Sequence, residues 1–162
     1  MYEMMAMVEA SLFAEALRNF GVWTYGIVNL AHIVGISLLF GAVVILDMRL
    51  LRFWQGISLA TISTITTPVA AVGLCLAIPS GVSMFAMNAT QYHGNPFAYL
   101  KIPILVLALA NVVVVTRLSA WQRAAAGSFL QPRDGSVLYV AGVFSLCLWS
   151  CVLICGRMIG YW

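Results

Sequence analysis

Histidine and cysteine are the residue types in this chain of 162 residues that point most directly to metal or cofactor chemistry. His32 lies in the middle of a long uncharged run, whereas His93 lies in a short polar segment after the next such run. A neutral imidazole is a good axial ligand for haem iron, and it also binds copper or zinc. It can instead hydrogen-bond a quinone, a backbone carbonyl or a serine of a neighbouring helix.

The depth of His32 makes it a candidate for a functional role, beside the structural alternative. Counted at the helical rise from an outer edge near Val22, His32 lies ~15 Å deep, close to the middle of a bilayer. Ionisable side chains at that depth are costly and are functional candidates by default. His93 differs from His32 in depth by on the order of 15 Å, so the two do not suit one haem. The choices left are a single-histidine haem, a second ligand of another type, or two His32 side chains across a dimer.

Three cysteines in the last apolar run form a second candidate site. Cys147, Cys151 and Cys155 recur every four residues and therefore share one face of a helix. A stripe of thiolates suits Cu(I), and the chain is also rich in methionine, which would extend a copper path. Small residues at this spacing also pack helices closely in membranes, so a structural stripe is the alternative.

Two further polar residues complete the candidate sites. Ser80, beside Pro79, lies ~20 Å from the inner end of its span and so shares a level with His32 and Cys151. Asn111 suits an interhelical hydrogen bond and is also a candidate cofactor contact. The candidate cofactor-binding residues are His32, Ser80 and Asn111, and the candidate metal ligands are His32, Cys147, Cys151 and Cys155.

The charged residues suggest structure rather than catalysis. Asp47, Arg49 and Arg52 end the first apolar run, and we expect a local ion-pair network there. No hydrolase elbow, phosphate loop, zinc helix motif or pair of catalytic carboxylates is found. We therefore assign no catalytic residue, and the pattern argues against an enzyme.

The elements that must position these residues follow from the composition. Hydrophobic residues make up 63% of the chain and charged residues 8%. Soluble domains have about 25% charged residues, so this composition excludes a cytosolic enzyme, a disordered chain and a nucleic-acid-binding protein. The net charge of +3 reflects scarce acids rather than a basic patch. The chain is expected to be an integral membrane protein in the lipid bilayer.

The uncharged runs predict four spans. A spanning helix needs about 20 mostly apolar residues, and an open sheet cannot satisfy its backbone in lipid. In residues 7–19 the apolar side chains recur at helical spacing, opposite the charged ones. This pattern predicts an amphipathic helix on the outer membrane surface. The predicted fold is all-α: a single membrane domain formed by a four-span transmembrane helical bundle with an N-terminal interfacial helix. The spans are expected at about 22–46, 67–89, 97–118 and 137–160.

Boundary residues and loop charges refine this arrangement. Pro68 after a threonine-rich stretch suits a helix start, and residues 131–135 suit a turn before the last span. The first and third loops carry the arginines, and the second loop carries none. The positive-inside rule therefore places those two loops in the cytoplasm and both termini on the outer, periplasmic side.

The sequence also resembles a known group. Residues 29–35 read NLAHIVG and residues 46–51 read LDMRLL. Together with several later residues, this pattern resembles a family of uncharacterised four-helix bacterial inner-membrane proteins. The resemblance covers about residues 20–118, and a more distant one is to the copper-resistance D membrane domain. The resemblance implies a multi-pass protein of the bacterial inner membrane and no particular activity. The later residues are Pro68, Gly73, Ser80, Gly81, Phe85, Ala89, Tyr92, Asn95, Pro96, Lys101 and Asn111.

The expected function is a small membrane subunit that binds a redox or hydrophobic cofactor, first of all b-type haem at His32. It would support electron transfer in or beside a larger membrane complex, as a homo-oligomer or with other subunits, and a quinone is a possible ligand. The first alternative is a structural accessory subunit without a cofactor. The second is Cu(I) handling through methionine and cysteine side chains.

Overall fold

The computed structural model describes residues 1–128 and 131–162, apart from the side chain of Pro132. Within these residues the chain is all-α, and no strand is present. This confirms the expected fold class. The helices are α1 (Tyr2–Glu9), α2 (Leu12–Asn19), α3 (Thr24–Leu50), α4 (Leu59–Met87), α5 (Pro96–Arg117), α6 (Ser119–Ala125) and α7 (Pro132–Met158), with short 3-10 turns at Ala89–Tyr92 and Ile159–Tyr161.

Four of these helices, α3, α4, α5 and α7, are long and apolar enough to cross a membrane. The protein therefore has the helices of a multi-pass membrane protein. Their positions agree with the four expected spans, but α3, α4 and α7 are longer than expected. α3 continues to Leu50, and α4 begins at Leu59 rather than near residue 67.

The early start of α4 corrects the expectation that Pro68 begins this helix. Pro68 lies inside α4, and the N-terminal cap is Ser58, whose hydroxyl accepts a hydrogen bond from the Thr61 backbone N–H at 3.0 Å. The threonine-rich stretch is helical because its hydroxyls bond to its own backbone. Thr66, for example, donates to the Ile62 carbonyl at 2.9 Å. Such bonds let polar residues occupy an apolar helix without unmet hydrogen bonds.

Two other boundaries differ from expectation. The N-terminal segment forms two short helices rather than one helix over 7–19, because Ser11 caps α2 by accepting the Ala14 N–H at 3.3 Å. Residues 131–135 do not form a separate turn, since α7 already begins at Pro132. Asp134 Oδ2 accepts the Gln131 N–H at 2.9 Å and so caps this first turn.

The chain divides into two compact units, which we describe separately. The first unit comprises residues 1–39 and 71–95, and the second comprises residues 40–70 and 96–162. The second unit has an apolar cluster centred on the leucines Leu50, Leu59 and Leu138. Alanines of α6 complete this cluster, and their small size lets that short helix lie close to the longer ones. The candidate residues His32 and Ser80 belong to the first unit.

Candidate functional site

The first unit contains a very close crossing of α3 and α4. A β carbon built at Gly73 would lie 2.5 Å from the backbone nitrogen of Leu39 and 2.7 Å from the carbonyl oxygen of Gly35. A β carbon built at Gly35 would lie 2.7 Å from the backbone nitrogen of Ala77. Only glycine fits at either position. Gly73 and Ala77 belong to a four-residue spacing of small residues on α4 that typically allows close helix packing in membranes.

His32 projects from α3 onto this face of α4. Its Nδ1 lies 2.9 Å from the carbonyl oxygen of Ala77 and 3.0 Å from the hydroxyl oxygen of Ser80. The Ala77 carbonyl can only accept, and the Ser80 hydroxyl donates its hydrogen to backbone carbonyls one turn back, including that of Leu76. Nδ1 must therefore be the donor. In the neutral tautomer the lone pair is then on Nε2.

Gly81 provides the space for the imidazole. A β carbon built there would lie 2.9 Å from Cε1 of His32, 3.4 Å from Nδ1 and 3.8 Å from Nε2. The Cε1–Nδ1 edge of the ring therefore faces α4, and Nε2 is the most distant of the three atoms. Any side chain at this position would push the ring away from its acceptors.

These contacts bring together two of the candidate cofactor residues, His32 and Ser80. The hydrogen bonds are those expected for a structural histidine, which bonds a carbonyl and a serine of a neighbouring helix. They also fit a ligand role, since histidines that bind metals almost always donate their other ring N–H to a carbonyl or similar acceptor. Sequence reasoning missed the glycine crossing, although the spacing of Gly73, Ala77 and Gly81 was a visible signal.

The remaining candidates lie in the second unit. Asn111 is half-buried in α5, and its side chain makes no hydrogen bond to a described residue. Cys147 and Cys151 are exposed on α7, whereas Cys155 is buried. In the described part of the chain, no three histidine, cysteine or acidic side chains are grouped so that they could hold a metal ion. The copper stripe therefore stays a prediction.

Asp47 shows an environment that the sequence did not indicate. Its side chain is 3% exposed and lies near Ser145 of α7, but its Oδ2 atom has no partner among the described residues. The expected ion-pair network is wrong, because both arginines point elsewhere. Arg49 Nε donates to the Ile57 carbonyl at 2.7 Å, and the Arg52 guanidinium lies 5.9 Å from the Tyr139 ring centre. The face of α3 that carries Asp47 is turned towards α7, where the main chain passes close to Gly142.

We expect Asp47→Asn to raise the stability of the protein. A buried carboxylate oxygen without a partner is costly, and asparagine keeps the shape while removing the charge. The free energy of unfolding should rise by about 1 kcal/mol. Thermal unfolding in detergent measures this effect. The matched control is Asp134→Asn, which should destabilise because it weakens the ion pair between Asp134 and Arg123 at 2.7 Å. A lower unfolding temperature for Asp47→Asn would contradict the prediction.

The N-terminal helices dock on the turn that follows α4. The Glu9 carboxylate accepts hydrogen bonds from the backbone N–H and the hydroxyl of Thr90, both at 2.7 Å. Arg18 donates to the Met87 carbonyl at 3.3 Å and to the Glu9 carbonyl at 2.8 Å. The N-terminal segment is therefore tied to the end of α4, a connection that the sequence analysis did not anticipate.

This docking is expected to weaken at low pH. The hydrogen bonds from Thr90 lower the pKa of Glu9 below its ordinary value of 4.5, and Arg18 lowers it further. A lowered pKa means that the stabilisation is complete above pH 4.5 and is lost as the pH falls through the lowered value. Hydrogen-exchange protection factors of residues 2–9 should therefore fall between pH 7 and pH 3. Glu9→Gln should lack this protection at both pH values, whereas Glu15→Gln should behave like wild type.

No family model, curated protein or solved structure matches this chain. The resemblance drawn from residues 29–35 and 46–51 therefore stays a prediction.

Proposed function

We propose that the protein is a small integral membrane subunit in which His32 supplies an axial ligand to b-type haem. In this role it supports electron transfer in or beside a larger membrane complex. The observation that carries the proposal is the fixed imidazole: Nδ1 donates to the Ala77 carbonyl and to Ser80, which places the lone pair on Nε2. Nε2 is the atom that would bind iron.

The contribution of the chain is to hold that imidazole in place. The two acceptors on α4 set its tautomer and its orientation, and the close crossing at Gly35 and Gly73 keeps α4 near enough for these bonds. The hydrogen bond to a carbonyl also makes the imidazole a stronger base and a better ligand. Haem bound in this way supplies one-electron chemistry.

A second copy of His32, or a residue of another type, would provide the other protein ligand to the haem. His93 does not suit this role, because it lies in the loop beyond α4 and its ring packs edge-on against Tyr2 at 5.4 Å. A symmetric pair of His32 residues would make the protein a homo-oligomer. The arginine distribution of the sequence supports an orientation with both termini outside, and the family resemblance implies that the membrane is the bacterial inner membrane.

A visible absorption spectrum of the detergent-purified protein tests this proposal. The protein is expressed with a haem precursor in the medium and measured as isolated and after dithionite. We expect a Soret band and a reduced α band in the b-type region. A featureless spectrum from well-folded protein would contradict haem binding.

A cofactor-free accessory subunit is the second candidate, and α5 favours it. Few residues of this helix are fully buried inside the protein, so much of its surface is available to lipid or to helices of a partner subunit. In this role His32 joins α3 to α4 through its hydrogen bonds and binds no cofactor. The candidate predicts a featureless spectrum together with a partner complex that is retained in mild detergent.

A further inference from the structure

An open cavity of about 440 Å³ lies in the first unit, where α3 begins and α4 ends. This volume is in the range of small-molecule sites, about 300–1,000 Å³. Both helices are candidate spans, so their ends place the cavity near the level of the lipid headgroups. Its polar lining consists of Arg18, Thr24, Tyr25, Asn88 and Gln91.

Arg18 gives the cavity a fixed positive charge. Its two terminal nitrogens each donate to a backbone carbonyl, those of Met87 and Glu9, which orient the guanidinium without neutralising it. A guanidinium has five N–H donors, so donors remain for a ligand. The nearby carboxylate of Glu9 is attracted by Arg18, but it is hydrogen-bonded through its Oε2 atom to Thr90 and not to Arg18.

Three neutral side chains of the lining add further donors. The side chains of Thr24, Asn88 and Gln91 make no hydrogen bond to any residue that the structure describes. Hydroxyl and amide groups can donate to an anionic oxygen, and beside a guanidinium they suit a phosphate. The cavity therefore has the chemistry of a phosphate site.

The segment that borders the cavity points to a lipid as the source of that phosphate. Phe20, Val22 and Trp23 lie between α2 and α3 and are 83%, 95% and 81% exposed. Large apolar side chains of this kind, at the end of a span, pack among the acyl chains and headgroups of a membrane interface. A free phosphate ion has no apolar part that could contact these side chains.

We propose that this cavity binds the phosphate diester of a phospholipid headgroup. Arg18 provides the charge-assisted bonds, Thr24, Asn88 and Gln91 complete the donor set, and the acyl chains lie beside Phe20 and Trp23. The site is independent of the haem proposal, since none of these residues holds His32.

Native mass spectrometry of the purified protein tests the proposal, with dioleoylphosphatidylglycerol as the lipid probe and inorganic phosphate as the second probe. We expect one lipid to bind more tightly than any further lipid. Arg18→Gln should weaken this binding by about 10- to 100-fold, as expected for the loss of charge-assisted hydrogen bonds. Arg117→Gln, which removes an exposed arginine at the end of α5, is the matched control and should bind like wild type.

A second variant controls for misfolding of Arg18→Gln, because Arg18 also hydrogen-bonds the end of α4. Asn88→Leu with Gln91→Leu keeps the bonds of Arg18 and removes only the unpartnered amides, so it should still weaken lipid binding. Unchanged lipid binding in both variants would overturn the proposal. Inorganic phosphate that binds as tightly as the lipid would overturn the assignment to a lipid.

Discussion

Gly73→Leu is expected to separate α3 from α4 and to abolish the folded state of the first unit. Even a single β carbon at this position would lie 2.5 Å from the backbone of α3, so a leucine side chain cannot be placed without moving one helix. The smaller change Gly73→Ala should lower the free energy of unfolding by about 1–3 kcal/mol, the usual effect of overpacking. Thermal unfolding in detergent, followed by circular dichroism, measures both effects.

Gly26 offers a matched control in α3. A β carbon built there meets no atom within 4 Å, so Gly26→Ala adds helix propensity without a clash. Its effect should be neutral or a gain of up to about 1 kcal/mol, opposite in sign to Gly73→Ala. Equal destabilisation by the two alanine variants would show that the close crossing is not what makes Gly73 necessary.

His32→Ala is expected to eliminate the haem spectrum completely. Under the haem proposal this substitution removes the imidazole that would hold the iron, and the second histidine of the sequence, His93, lies in the loop beyond α4. His93→Ala is the matched control, because this exposed histidine of the loop should leave the spectrum unchanged. Ser80→Ala should retain a haem spectrum, since the Ala77 carbonyl still accepts the Nδ1 hydrogen bond.

A rescue experiment separates ligation from folding. Added imidazole should restore the α band to His32→Gly, because the free ligand can occupy the place of the missing side chain. A spectrum that persists in His32→Ala would show that another residue ligates the haem. Failure of His32→Ala to fold would appear in the same thermal unfolding assay as the Gly73 variants, and the rescue result would then decide the role of His32.

Much of the secondary structure could be predicted, because the helical state of an apolar segment in lipid depends on that segment alone. A chain with 63% hydrophobic and 8% charged residues must place long apolar segments in a membrane, and such segments must form helices to satisfy their backbone. The boundaries were less predictable. Pro68 resembles a helix start, yet α4 begins before it, with hydrogen bonds between the backbone and the hydroxyls of Ser58 and Thr66. Such hydroxyl groups can stabilise either a helix or a turn, so the sequence alone does not decide between the two.

The sequence by itself therefore determined the all-α class and the four apolar spans, and it singled out His32 as a candidate whose role stays a prediction. Only the tertiary structure decided what the polar side chains contact. Helical spacing places His32 and Asp47 at given heights in α3, but it does not say which neighbour each one faces. That choice depends on the rotation and approach of the helices, which the backbone contacts of Gly35 and Gly73 set in one unit and those of Gly142 in the other. Through those contacts His32 reaches Ala77 and Ser80, whereas Asp47 faces Ser145 instead of an arginine.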